Sequence, residues 1–187
     1  MAPKNKITRD GITEAALRLV EEHGKDELNA RSLAKALGIS TQPIFSNFES
    51  MNDVKKEVAS RATAIYLDYI RETAESGRYP EYKASGMAYI RFAKEKRELF
   101  KLIFMDNAGK HDESAYDEII DAMARNIGIS RGDALEMHLR MWTFVHGIAT
   151  MAATDYLVLD DEYTSQMITD IYKGLVFKYK GESNNNA

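Results

Sequence analysis

The chain has 187 residues, 44% hydrophobic and 29% charged, with no cysteine and a net charge of −4, a composition that suits one or two small globular domains. Without thiols there is no disulfide framework and no thiolate metal site, as expected of a cytoplasmic protein; His23, His111, His138 and His146 form no HExxH pattern, so no metal or other cofactor is expected. No stretch has the length of a membrane span, and the basic opening residues, MAPKNKITRDG, lead into no apolar run of the kind a secretory signal needs.

In chain order, Thr8 can cap a first helix, Arg9–His23, whose Ile12, Ala15, Ala16, Leu19 and Val20 share one face and which Gly24 ends. Next comes LNARSLAKALGISTQPIFSNF, Leu28 to Phe48. Asn29 is a good N-cap for a helix Ala30–Leu37, in which Leu33, Ala34 and Leu37 make one buried stripe. Gly38 falls where the chain must leave that helix through a left-handed residue, Ile39 fills the corner, and Ser40 can cap a second helix, Thr41–Asn47. Pro43 sits in its first turn, where a missing N–H costs nothing. Ile44, Phe45 and Phe48 are expected to point inward, leaving Thr41, Gln42, Ser46 and Asn47 polar and outward. Such a pair is either a helix-turn-helix or an ordinary αα-hairpin, and spacing alone leaves both open.

Ser50 and Asp53 make a capping signal for one long helix, Asn52 to Ser76, with no Pro or Gly and with Val54, Val58, Ala62, Ile65, Tyr66, Tyr69 and Ile70 at helical spacing. SGRYPEY, 76–82, breaks the chain. A helix to about Glu95 follows, then a basic corner at Lys96–Arg97, a short helix through Phe104 and a polar loop, 105–113. Further helices are expected over Ser114–Ile127, from Ser130 to about Leu157, and over Tyr163–Tyr179, before a low-complexity tail, GESNNNA. The fold class is therefore all-α. The expected division is an N-terminal helix-turn-helix domain, 1–51, a connecting helix, 52–78, a C-terminal helical domain, 79–181, and a disordered tail, 182–187.

ITRDGITEAALRLVEEHG, LNARSLAKALGIS and PIFSNFESMNDV, in register over some fifty residues, resemble the N-terminal domain of the TetR family of transcriptional regulators. AYIRFAKEKRELFKLIF and WTFVHGIATMA resemble a C-terminal domain type of that family, with a Trp-x-x-x-His-Gly run in the penultimate helix. The resemblance implies a dimer that binds a double-stranded operator with inverted-repeat symmetry and releases it, as a repressor, on binding a small effector. Its DNA-facing set would comprise Lys6, Arg9, Asn29, Arg31, Thr41, Gln42, Phe45, Ser46, Asn47 and Lys55. The chain departs from the family pattern where Phe45 replaces a tyrosine and Met51 a lysine, which removes a hydroxyl and a charge from that surface. Charge placement is modest support: residues 1–62 carry ten Lys and Arg against nine Asp and Glu, and the rest of the chain is the acidic part.

Large flexible and aromatic residues in the second half suit either a hydrophobic core or a cavity for an apolar or aromatic ligand. For the second reading the lining would be Tyr66, Met87, Phe92, Phe104, Met123, Met137, Met141, Trp142 and Val145. Gly147, Ala149, Ala152 and Ala153, paired with Ile168, Ile171, Tyr172 and Leu175, suit a two-fold helix bundle between subunits. No nucleophile elbow, phosphate loop or metal motif is present, so an enzyme is not expected. Two rivals stay open: a helical small-molecule binding or enzymatic protein whose helix-turn-helix no longer binds DNA, and a DNA-binding regulator with no effector.

Overall fold

The structure, a computed structural model, describes residues 7–105 and 116–185, with side chains described through Gly181. Among the described residues the chain is helical throughout, without a strand: α1 Arg9–His23, α2 Ala30–Leu37, α3 Gln42–Asn47, α4 Met51–Glu75, α5 Glu81–Glu95, α6 Arg97–Phe100, α7 Asp117–Ile127, α8 Arg131–Ala153 and α9 Asp161–Asn185. A 3-10 turn, Lys25–Glu27, joins α1 to α2, and α6 runs on into a π-turn, Lys101–Met105.

Helix starts follow side-chain chemistry. Thr8 Oγ1 accepts from the Gly11 N–H at 3.1 Å. Ser50 Oγ accepts from the Asp53 N–H at 3.2 Å and donates to its carboxylate at 2.8 Å, and Ser130 does the same with Asp133 at 3.1 and 2.7 Å. The three bonds from backbone N–H groups each satisfy a donor that the first turn of a helix leaves orphaned. Two helix ends differ from expectation. α8 stops at Ala153 because Asp155 takes a left-handed φ of 59°. That conformation lets the Tyr156 N–H donate to Met151 O at 3.0 Å and the Asp155 N–H to Ala152 O at 3.2 Å, a Schellman closure with aspartate where glycine is usual. α9 continues to Asn185, into the stretch expected to be a tail; once nucleated, a helix adds one bond per residue without needing apolar composition.

In the head, Ile12, Ala16 and Val20 of α1, Leu33 of α2, Ile44 of α3 and Val54 and Val58 of α4 are fully buried. The same apolar interior passes along α4 into the body, where Ile65, Tyr66 and Tyr69 pack against α5 and the π-turn. α1 also meets α6. Lys96 Nζ pairs with Glu21 at 2.7 Å, and Gly24, with φ 82° and ψ 168°, backs onto the Glu98 carboxylate, whose Oε2 would lie 2.9 Å from an added Cβ. The positive φ demands glycine there, and an added Cβ would also push the Glu98 carboxylate aside.

α5 is the most buried helix of the body, and α8 runs parallel to it. Tyr82 Oη meets His138 Nδ1 at 3.1 Å, and two turns on Tyr89 Oη meets His146 Nδ1 at 2.9 Å. α9 returns antiparallel: Lys83 Nζ donates to Thr169 Oγ1 at 2.7 Å, while Lys94 Nζ, at the other end of α5, donates to Leu159 O and Asp161 at 2.6 and 2.7 Å. A second apolar cluster, made of Ile120, Met123 and Ile127 of α7, Ala134 and Met137 of α8, and Tyr179 of α9, closes the far end.

Burial holds the His138 imidazole below its ordinary pKa of 6.5, because the charged form loses hydration there. The neutral ring can accept the Tyr82 proton. Above about pH 6.5 both folded and unfolded chains carry neutral His138 and it adds no pH dependence. Below that value the unfolded chain takes a proton that the folded chain refuses, so stability falls until pH has passed the folded pKa. His138→Phe is expected to flatten the fall in urea midpoint between about pH 7 and 5 relative to wild type, even if it shifts the whole curve. Parallel curves for the two proteins would remove His138 as a cause.

Candidate nucleic-acid interface and ligand pocket

The helix pair α2–α3 is built as its sequence requires. Asn29 Oδ1 accepts from the Arg31 and Ser32 N–H groups at 3.1 and 3.0 Å. Gly38 leaves α2 in the left-handed region at φ 66°, and the Ile39 N–H closes onto Ala34 O at 3.0 Å. α3 begins at Gln42, with Thr41 at its N-cap and no side-chain cap, so Ser40 does not play the expected role. Ile44 and Phe48 turn inward, being fully buried and 2% exposed, whereas Phe45 is 48% exposed. The expectation that Phe45 anchors the helix is thus corrected. One residue on from Ile44 the helix has rotated by about 100°, out of the core and onto the open face.

That face also presents Gln42 and Ser46, both exposed, with Thr41 and Asn47 half-buried at its margins. Ser46 Oγ donates to Gln42 O at 3.0 Å and Asn47 Nδ2 to Pro43 O at 2.8 Å, so both are engaged with their own helix. The Gln42 carboxamide makes no hydrogen bond among the described residues and is the most available polar group on α3. Elsewhere in the head, Arg31, Lys35 and Lys55 are exposed and form no ion pair among the described residues. Lys35 was missed in the sequence because its spacing marks only a solvated helix face. Lys56 is paired with Asp53 at 3.7 Å, and Arg9 is held by Asn47 and Glu57. Lys6 lies outside the described residues. An open groove of about 610 Å³ runs beside α3 between Phe45, Ser46, Asn47 and the start of α4, with Glu49, Asp53 and Glu57 on its walls.

The nine residues expected to line a ligand pocket do not form one group. Tyr66 and Phe104 meet edge to face at 5.0 Å, Tyr66 and Phe92 lie 5.4 Å apart, and Tyr89 and Phe100, absent from the expected set, complete the cluster at 4.7 and 5.2 Å from Phe104. Met87, Met141 and Val145 are buried in the same interior. Met123 and Met137 belong to the second cluster, on the far side of His138. Trp142 is half-buried, stacked on His146 at 4.9 Å and 9°. Polar groups of this aromatic region include Tyr89 with His146 and the Tyr66 hydroxyl, which burial holds protonated well above the usual phenol range.

On α8 and α9, Ala149, Ala152, Ala153 and Ile168, expected between subunits, are buried in the chain's own interior. Small residues let α5 and α9 approach α8 on that side. Tyr172 and Leu175 are half-buried, and Gly147 and Ile171 are exposed. Exposed on the same two helices are Leu139, Thr143 and Gly147 of α8 and Ile171, Gly174 and Phe177 of α9, Phe177 being 83% exposed. No cluster of three or more metal-ligating side chains occurs among the described residues, and none of their helices is long and apolar enough to cross a membrane.

Comparison with known proteins bears on both halves. Residues 12–58 match the family described as bacterial regulatory proteins, tetR family, and residues 82–171 match one described as tetracyclin repressor-like, C-terminal domain. The chain is also similar to an uncharacterised HTH-type transcriptional regulator of Mycobacterium tuberculosis, at 24% identity over 89% of this chain and 78% of that protein. With α2 and α3 set as a helix-turn-helix in the first matched segment and a helical body in the second, the chain belongs to the TetR family and is a DNA-binding transcriptional regulator, not an enzyme.

Proposed function

We propose that the protein is a cytoplasmic, dimeric repressor that leaves an inverted-repeat operator when a small apolar or aromatic effector enters the body. The observation that carries this reading is the placement of the aromatic cluster on the two elements that also hold the head. Tyr66 lies on α4, whose first half closes the head core, and Phe100 and Phe104 lie on α6 and its π-turn, beside the Lys96–Glu21 pair and the Gly24–Glu98 contact. A ligand ring inserted among Tyr66, Tyr89 and Phe104 would have to displace one or both elements, and so re-aim α3. Tyr89 and His146 would meet its polar group. The ring-to-ring filling of this interior favours a second reading, an effector-free regulator whose body only dimerises; ligand screening separates the two.

At the operator, Gln42 is the base-reading candidate, and Arg31 and Lys55 are the phosphate candidates. Gln42→Ala is expected to lower the ratio of specific to nonspecific affinity by about 1–3 kcal/mol. Arg31→Ala and Lys55→Ala should each reduce the slope of log affinity against log salt by about one unit. An unchanged slope would leave them as ordinary surface charges.

For the effector, titration of wild-type protein with a panel of small aromatic compounds should change Trp142 fluorescence and raise the melting temperature. Met141→Ala should alter the ligand affinity while the ligand-free protein still binds its operator. A panel that produces neither signal, on protein active in DNA binding, would establish the effector-free reading.

For the dimer, Gly147 and Gly174 have nothing within 4 Å of an added Cβ inside the protomer, although glycine costs a helix interior about 1 kcal/mol relative to alanine. Gly174→Trp is expected to shift the sedimentation coefficient to that of a monomer with unchanged helical circular dichroism. A variant that stays dimeric would place the subunit contact elsewhere.

A further inference from the structure

Arg9 heads α1 and belongs, by position, among the basic residues a DNA backbone would attract. Its side chain is otherwise engaged. Nη1 donates to the carbonyl of Asn47, the last residue of α3, at 3.0 Å. Nη2 donates to Glu57 of α4 at 3.3 Å. The guanidinium carbon lies 4.1 Å from the centroid of the Phe48 ring, in the short link between α3 and α4. One planar group thus ties the first residue of α1 to the end of α3, the link behind it and the second turn of α4.

α3 has particular need of such a tie. It has six residues and no side-chain cap at its N-terminus, so its few internal bonds cannot fix its direction. Inside, it is held by Ile44 and Phe48, apolar contacts that set its depth but leave it free to pivot. Arg9 adds a directional bond at the far end. We propose that Arg9 is a positioning residue for operator recognition: it fixes the angle at which α3 presents Gln42, and does not serve as a phosphate contact. The pairing with Glu57 supports this assignment, since a neighbouring carboxylate cancels much of the long-range pull that a phosphate clamp would need. Lysine cannot replace it, because an ammonium lacks the flat fork that donates in two directions while stacking on a ring.

The test uses full-length protein and the operator that the wild type selects from random-sequence duplexes, with a scrambled duplex as control. Arg9→Lys, which keeps the charge, is expected to lose operator affinity tenfold or more while binding the scrambled duplex within about twofold of wild type; Arg9→Gln should lose operator affinity with an unchanged salt slope. Amide hydrogen exchange without DNA should be faster over residues 44–48 in Arg9→Lys and unchanged over α2. A phosphate contact predicts the reverse: Arg9→Lys keeps its operator affinity, and Arg9→Gln loses about one unit of slope. Either that pattern or unchanged exchange over residues 44–48 overturns the assignment. If Arg9→Gln does not fold, Arg9→Lys decides alone. The proposal rests on the reading of α3 as the element that meets the operator; should the wild type select no operator, that reading fails, and exchange in Arg9→Lys still decides the tie itself.

Discussion

Everything in this protein leans on a single apolar stripe along α4. Its first half, Val54, Val58 and Ala62, has no solvent exposure and forms the floor of the head; its second half, Ile65, Tyr66 and Tyr69, packs against the body. At about 1.5 Å per residue, 25 residues carry that stripe over some 37 Å. Because burial of apolar surface is worth about 25 cal/mol per Å² on either side, neither half of the stripe can be released without the other feeling the change. The head cannot be regarded as a separate bead on a string: α1 also rests on α6, through Lys96–Glu21 and the close seat of Gly24 against Glu98.

The sequence spelled out what depends on local chemistry. Asn29, Ser50 and Ser130 stand where a helix start needs an acceptor, and Gly24, Gly38 and Gly128 where the chain turns through positive φ. The end of α8 was illegible for the same reason: Asp155 takes a left-handed turn that composition assigns to glycine, and its bond with Arg97 at 2.9 Å comes from a residue 58 positions away. The outward turn of Phe45 follows from helix phase, which hydrophobicity alone misread. The ligand lining and subunit face suffered from a deeper ambiguity. Met and small residues repeat on α8 at helical spacing on more than one side, and only packing tells which side faces α5. It places Met137 with α7, Met141 with α5, and Ala149, Ala152 and Ala153 inward.

Part of the electrostatics of the head is internal. Arg61 pairs with Asp10 and Glu14, Arg9 with Glu57, and Lys56 with Asp53. Exposed pairs of this kind add little to stability, about 0–1 kcal/mol each, but they cancel positive potential that would otherwise reach DNA. A head with a small net charge, and with Arg9, Lys56 and Arg61 paired to carboxylates, draws less on counterion release than a strongly basic one. Binding of DNA then depends more on the aim of α3 than on general attraction to the polyanion.

The parallel run of α5 and α8 has a kinetic side. Two parallel neighbours cannot be joined by a tight turn, and the chain passes through α6, its π-turn and α7 before α8 can be laid beside α5. The contacts that complete the body therefore join residues more than fifty positions apart, whereas the helix-turn-helix packs within about fifty residues of the first helix. Short loops close first. During synthesis the N-terminal part also emerges first. A nascent chain thus completes its helix-turn-helix before α8 and α9 have been made, and the long-range contacts that finish the body close last.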